Sequence, residues 1–198
     1  MTIARKVILA IGLPGAGKST YFAQHGIVPL SSDLIRQLLY DDAADQRRPD
    51  WVFTALRALL RRRLMSGAHT SYIDATNLRR RYRAEFLEIA REFGCVAEAL
   101  FFDVPLDVCL ERNRNRGQGN PAAGVTERDK ANAMALCRGR VVPEDVLRRM
   151  SAEMEPPTLE EGFARIRVLR PVTRRRPPRA RAGLKGNNQK SRGGTGGN

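Results

Sequence analysis

Two patterns of apolar spacing alternate along the chain. Val7-Ile8-Leu9-Ala10-Ile11 and the stretch Cys95 to Phe102 are nearly unbroken apolar runs of buried-strand type. Ile27-Val28-Pro29-Leu30, Thr70 to Ile73 and Phe163 to Leu169 read as three further strands. Between them the spacing turns helical. Ser19 to His25 has no breaker and Gly26 ends it. Leu34 to Tyr40 predicts a helix with a serine cap and an acid in its first turn. Asp41 to Pro49 is polar and reads as a loop. From Asp50 to Met65, Phe53, Leu56, Leu60 and Leu64 share one face, with Arg57 and Arg61 elsewhere. From Arg80 to Phe93 the apolar stripe is Tyr82, Phe86, Ile89 and Phe93, with Glu85, Glu88 and Glu92 turned away. Pro105 opens a helix that runs to about Arg114. Thr126 to Cys137 predicts a short helix, and Glu144 to Met154 another.

Strands alternating with helices imply an α/β fold: a mainly parallel sheet, helices on both faces, right-handed crossovers. Ligands in such sheets bind beyond the carboxyl ends of the strands. The loops after Ile11, Leu30, Ile73 and Asp103 are therefore expected to share one rim.

Composition narrows this further. A chain of 198 residues holds one domain with a sizeable core, expected over residues 1–170. Cysteines 95, 109 and 137 are odd in number, widely spaced and without a C-x-x-C pair. They suggest neither a disulfide frame nor a zinc site, so a reducing cytoplasm is expected. The first strand starts too early for a signal peptide, and no apolar run approaches membrane-spanning length, so no membrane partner is expected. The net charge is +14, and from Pro171 onward six Arg and two Lys stand without an acid, leaving +6 for the rest. That balance suits a polyanionic partner. The tail 171–198 has too little to bury and is expected to be disordered.

The chemistry is concentrated after the first strand. Gly12-Leu13-Pro14-Gly15-Ala16-Gly17-Lys18-Ser19-Thr20 fits the phosphate-binding pattern G-x-x-x-x-G-K-[ST] at every fixed position. Glycines let successive backbone N–H groups approach a phosphate. Gly12, Pro14, Gly15, Ala16, Gly17, Lys18, Ser19 and Thr20 are thus the expected ATP contacts. Lys18 would reach the β- and γ-phosphates, and the Ser19 hydroxyl would bind Mg²⁺. Strand, glycine loop and helix follow in the order the site requires.

Three further groups lie on the expected rim. Asp33 and Arg36, three apart at a helix start, suit a proton acceptor beside a phosphate grip; they equally suit a surface ion pair. Asp74 ends a strand at the site and could hold Mg²⁺ through water or fix Arg36, while Asn77 suits an Asx turn capping the next helix. Arg112, Arg114 and Arg116 close a helix before a Gly- and Asn-rich stretch. They are either an arm over the triphosphate or a solvated helix end. His25 and His69 show no metal spacing. Trp51 reads as partial core or packing against a loop, and the tail either binds nucleic acid nonspecifically or keeps the chain soluble.

Taken together and in this order, these motifs resemble the P-loop 5′-hydroxyl polynucleotide kinases of phage and bacterial end-healing enzymes, over most of residues 5–170. The phosphate loop, Ser31-Ser32-Asp33-Leu34-Ile35-Arg36, Asp41-Asp42 with Asp45-Gln46, and Ile73-Asp74-Ala75-Thr76-Asn77 carry the likeness. So do Glu111-Arg112-Asn113-Arg114-Asn115-Arg116 and Val142-Pro143-Glu144-Asp145-Val146-Leu147. The resemblance implies a P-loop NTPase kinase fold with a lid, and ATP with Mg²⁺. It implies Asp33 as general base, Arg36 on the acceptor's phosphate, and lid arginines on ATP. The acceptor would be a 5′-OH end of RNA or DNA, with any phosphatase or ligase on separate chains. In the family the lid usually runs into the V-P segment within a few residues, whereas here Gly117 to Cys137 intervenes. The lid and insertion span about 112–142, and the second lid arginine is Arg116 or Arg140. A small-molecule kinase acting on a sugar, nucleoside or antibiotic hydroxyl is the alternative on the same scaffold. A non-catalytic, ATP-dependent nucleic-acid binder is the other.

Overall fold

The computed structural model describes residues 4–117 and 141–171. The helix expected at 126–137, Arg140 and the tail beyond Pro171 lie outside the described residues. Five strands form one sheet: β1 (Lys6–Ile11), β2 (Leu30–Ser31), β3 (Thr70–Asp74), β4 (Val96–Phe102) and β5 (Arg165–Leu169). Their order is β2-β3-β1-β4-β5 and every pairing is parallel. The helices are α1 (Lys18–Gln24), α2 (Ser32–Tyr40), α3 (Pro49–Met65), α4 (Arg80–Glu92), α5 (Leu106–Gly117) and α6 (Glu144–Ala152), with a 3₁₀ turn at Leu159–Glu161.

The strands divide the core by their two-residue period. Val7, Leu9 and Ile11 of β1 point into a layer with Leu56, Leu60 and Leu64 of α3 and Phe86 and Ile89 of α4. Ile8 and Ala10 point to the other face, where Phe22 of α1, Cys109 and Leu110 of α5, and Leu147 of α6 pack. Both faces of the central strand are covered, which is why its sequence is an unbroken apolar run. One face thus carries α3 and α4, and the other carries α1, α5 and α6.

The second strand is shorter than expected. Only Leu30 and Ser31 pair, with Ile73 and Asp74 of β3, while Val28 is 84% exposed. Pro29 has no N–H to give a ladder, so pairing starts only after it. Helix α2 begins at Ser32, with the Ser31 hydroxyl accepting from Leu34 N. Asp33 therefore sits in its first turn and Arg36 one turn on.

Helix α4 departs from the expected stripe at one turn. Tyr82 is half exposed, and Arg83 is fully buried in its place. Arg83 forms a bidentate ion pair with Glu161 at 2.7 and 2.6 Å and donates to the carbonyls of Asn77, Leu78 and Glu155. A buried guanidinium is tolerable only when its donors are satisfied in this way.

Candidate active site

The carboxyl ends of β1, β2 and β3 open on one cleft of about 550 Å³. Pro14, Gly15, Gly17, Lys18 and Ser19 line it from the glycine loop, Ser32, Asp33 and Arg36 from α2, and Asp74 to Asn77 from the turn after β3. The loop after β4 lies at the same carboxyl edge, as expected, but does not line the cleft. Asp103 instead pairs with Arg170 at 3.0 Å. That side of the cleft is closed by Arg116 of α5 and by Val142.

The glycine loop is held by close backbone approach. Gly15 has φ +86°, and a Cβ there would lie 2.6 Å from the Cys109 carbonyl oxygen of α5. Only glycine lets the loop lie on that helix. A Cβ on Gly12 would meet Phe102, and Ala16 is buried in the core. Gly12 and Ala16 shape the loop, Thr20 lies within α1, and none of the three lines the cleft. Gly12 N donates to Thr76 O, and Asn77 Nδ2 donates to Ala10 O at 2.8 Å, which ties the β3 turn to the end of β1. Asn77 does not cap α4, as the sequence suggested. Arg79 is the cap residue there, and the Asn77 amide is taken by β1.

Lys18 is buried, and its Nζ donates to the carbonyls of Gly12 at 2.7 Å and Leu13 at 3.0 Å. Burial pulls its pKa below the usual lysine value, and the nearby Asp74 charge opposes that. Asp74 is pushed up to about 6, chiefly by burial and further by Asp33, while Lys18 and Arg116 hold it down. Ser19 is exposed in the first turn of α1. The Asp33 carboxylate accepts from Arg36 at 2.9 Å. Its side chain stays 38% open to the cleft, while that of Arg36 is only 7% exposed.

The arginines at the end of α5 separate. Arg112 donates to Gly15 O at 3.4 Å, on the loop backbone, and is not on the cleft lining. Arg116 lines the cleft and is drawn electrostatically to Asp33 and Asp74. Asn113, between them, is buried and holds Val142 by two hydrogen bonds, to its O at 2.7 Å and from its N at 3.0 Å. That pair fixes Val142 where it lines the cleft.

The far end of the cleft was not foreseen. Phe53, Thr54 and Arg57 of α3 and Tyr82 and Glu85 of α4 line it, with an Arg57–Glu85 ion pair joining the helices. Phe53 also packs against the core, as its spacing predicts, whereas Tyr82 is half exposed, because helical spacing marks a face without saying how deep each turn lies. Trp51 is half exposed and packs under the Arg48 guanidinium at 4.1 Å. His25 stacks on Tyr21 at the surface.

A sequence family described as an AAA domain matches residues 7–157. The chain belongs to this AAA-domain family. Its parallel five-stranded sheet with helices is the P-loop kinase fold. The AAA-domain fold here is similar to a protein of Chloroflexus aurantiacus j-10-fl described provisionally as a kinase, at 18% identity and TM-score 0.58, over 84% of this chain and 88% of that one. It is similar to a chain of the Pnkp1/Rnl/Hen1 RNA repair complex, at 16% identity and TM-score 0.58, over 77% of this chain and 45% of that one. A chain of the PezAT toxin-antitoxin system of Streptococcus pneumoniae aligns at 17% identity and TM-score 0.50, over 85% and 68%. At these identities the likeness is one of fold. Among the described residues no helix is long and apolar enough to cross a membrane.

Proposed function

We propose that this AAA-domain protein is an ATP-dependent kinase that transfers the γ-phosphate to the 5′-hydroxyl end of a polynucleotide. The observation that carries this reading is the Asp33–Arg36 pair opening into the same cleft as Lys18, Ser19 and Asp74. A nucleotide binder alone has no use for an open carboxylate held by a buried arginine at that place.

Lys18 and the amides of the glycine loop would hold the ATP phosphates, with Lys18 released from its own loop carbonyls onto the anion. The Asp33 carboxylate would take the proton of the 5′-hydroxyl as its oxygen attacks the terminal phosphorus and ADP leaves. Arg36 would keep that carboxylate aimed and grip the phosphate next to the terminal nucleoside. Arg116 faces the charge that develops on the transferring group, and Arg112 holds the loop at Gly15.

The donor set suits Mg²⁺. Ser19 and Asp74 offer two protein oxygens, and no cluster of three His, Cys, Asp or Glu side chains occurs among the described residues. Such a site leaves the remaining positions to phosphate oxygens and water, as Mg²⁺ prefers. When bound, the ion would neutralise the β- and γ-oxygens.

The test is transfer of labelled γ-phosphate to 5′-OH RNA and DNA oligonucleotides, nucleosides and sugars, by wild type, Asp33→Asn and Arg36→Ala. Labelling of oligonucleotides that Asp33→Asn abolishes supports the reading. Labelling only of sugars or free nucleosides, undiminished in Arg36→Ala, points to a small-molecule kinase. ATP hydrolysis with no acceptor labelled removes the proposal.

A further inference from the structure

The cleft is lined from the phosphate loop at one side and from the N-terminal turns of α3 and α4 at the other, and the two sides differ in character. Resting on the kinase reading above, we propose that Phe53 and Tyr82 form a stacking subsite for the nucleobase of the acceptor's 5′-terminal nucleotide.

The topology assigns that end to the acceptor. The phosphate loop leads into α1, and α5 lies against the loop, both on one face of the sheet. Helices α3 and α4 cover the opposite face. The cleft spans the carboxyl edge of the sheet between them, and Asp33 and Arg36 also line it. A donor seated on the loop therefore leaves the α3–α4 end to the molecule that Asp33 deprotonates.

The chemistry of that end suits a flat, uncharged group. Helices α3 and α4 both lead back down to a parallel strand, so their N-terminal turns rise together at the rim. The Arg57–Glu85 ion pair ties them. Phe53 lies one turn above Arg57, and Tyr82 lies one turn above Glu85. The pair neutralises its own charges, and Asp50, which also lines the cleft, is paired with Arg48 at 2.9 Å, so the rings stand among ion pairs closed on themselves, while Arg36 would keep a guanidinium for the acceptor's phosphate. Tyr82 is half exposed, with the Arg81 guanidinium 4.8 Å from its ring centroid and donating to its hydroxyl at 2.9 Å. An aromatic ring backed by arginine presents a polarised face on which any base can stack. The rings themselves supply stacking and do not read base identity.

The experiment uses the full chain and a short 5′-OH oligonucleotide carrying 2-aminopurine at its 5′ end, whose fluorescence falls on stacking. A matched acceptor has an abasic 5′-terminal residue. Tyr82→Ala and Phe53→Leu are compared with wild type, and Tyr82→Phe keeps the ring. Wild type and Tyr82→Phe are expected to quench 2-aminopurine at saturation, and the two ring-removing variants to lose most of the quench. Each removal lowers kcat/KM on the base-bearing acceptor by about 5- to 150-fold, the worth of one base on an aromatic ring. The abasic acceptor, already poor, is expected to change less than about twofold. Equal losses on both acceptors, or no quench in a saturated wild-type complex, overturn the subsite. Quench without phosphate transfer overturns the kinase reading and leaves the subsite standing. Transfer without quench does the reverse, and failure of every oligonucleotide to bind removes both.

Discussion

At the scale of single residues, two positions show what the cleft requires of the fold. Gly15 lies on the α5 backbone, so a methyl group there meets a carbonyl oxygen that cannot move aside, in a backbone region that L-residues avoid. Gly15→Ala is expected to cost about 2–4 kcal/mol in urea denaturation and to abolish ATP binding by titration calorimetry. An alanine variant with wild-type stability would show that the loop does not rest on α5. Asp74 costs stability in another way. Its folded pKa of about 6 lies above the ordinary 3.8, so between those values the folded chain binds more protons than the unfolded one. Stability from this group is therefore fully present below about pH 4 and falls as pH rises through 6. In protein free of nucleotide and metal, Asp74→Asn should match wild type near pH 4. Above about pH 7 it should exceed wild type by of order 2 kcal/mol, while losing activity. A gap that does not widen between those pH values contradicts the burial of this carboxylate. Function and stability pull in opposite directions at Asp74.

At the scale of elements, the turn after β3 is set by partners far away in sequence. Asn77 is fastened to β1, and its carbonyl and that of Leu78 accept from Arg83, which Glu161 holds from the 3₁₀ turn before β5. Cutting one partner leaves a buried charge alone. Arg83→Ala should lower stability by about 3–5 kcal/mol, whereas Arg83→Met with Glu161→Met should recover much of that loss. Urea denaturation of both variants checks it; equal losses would mean the pair is not buried as a unit. The same turn marks where sequence reading stops. β1 and β4 were legible because a strand buried on both faces must be apolar throughout, and α3 because Leu56, Leu60 and Leu64 repeat at helical spacing. In α4 the same rule puts Tyr82 inside and ignores Arg83, since the carboxylate that makes a buried arginine tolerable is 78 residues on. The site follows suit. Lys18, Ser19, Asp33, Arg36 and Asp74 were legible from local motifs and lie on one cleft. Phe53, Arg57, Tyr82 and Glu85 were not, because only the packing of α3 on α4 turns those positions into a wall.

At the scale of the whole molecule, basic charge is divided between arginines on the cleft and a C-terminal stretch without acids. From Pro171 onward the chain adds six Arg and two Lys with no acid, while the preceding residues carry +6. Lysines and arginines that are not placed against a partner act through counterion release, which depends on salt and not on sequence. Arg36, by contrast, is buried and paired with Asp33, so a phosphate that it gripped would be screened less than one at a surface charge. Deleting residues 172–198 should therefore leave kcat on a short 5′-OH oligonucleotide within about twofold of wild type. For long single strands it should raise KM, and it should flatten the dependence of log KM on log salt. Arg36→Ala should show the opposite pattern, losing rate on short and long acceptors alike with the salt slope little changed. A tail deletion that abolished transfer to short acceptors would mean that the tail completes the site, and the division of labour argued from burial and charge would fail.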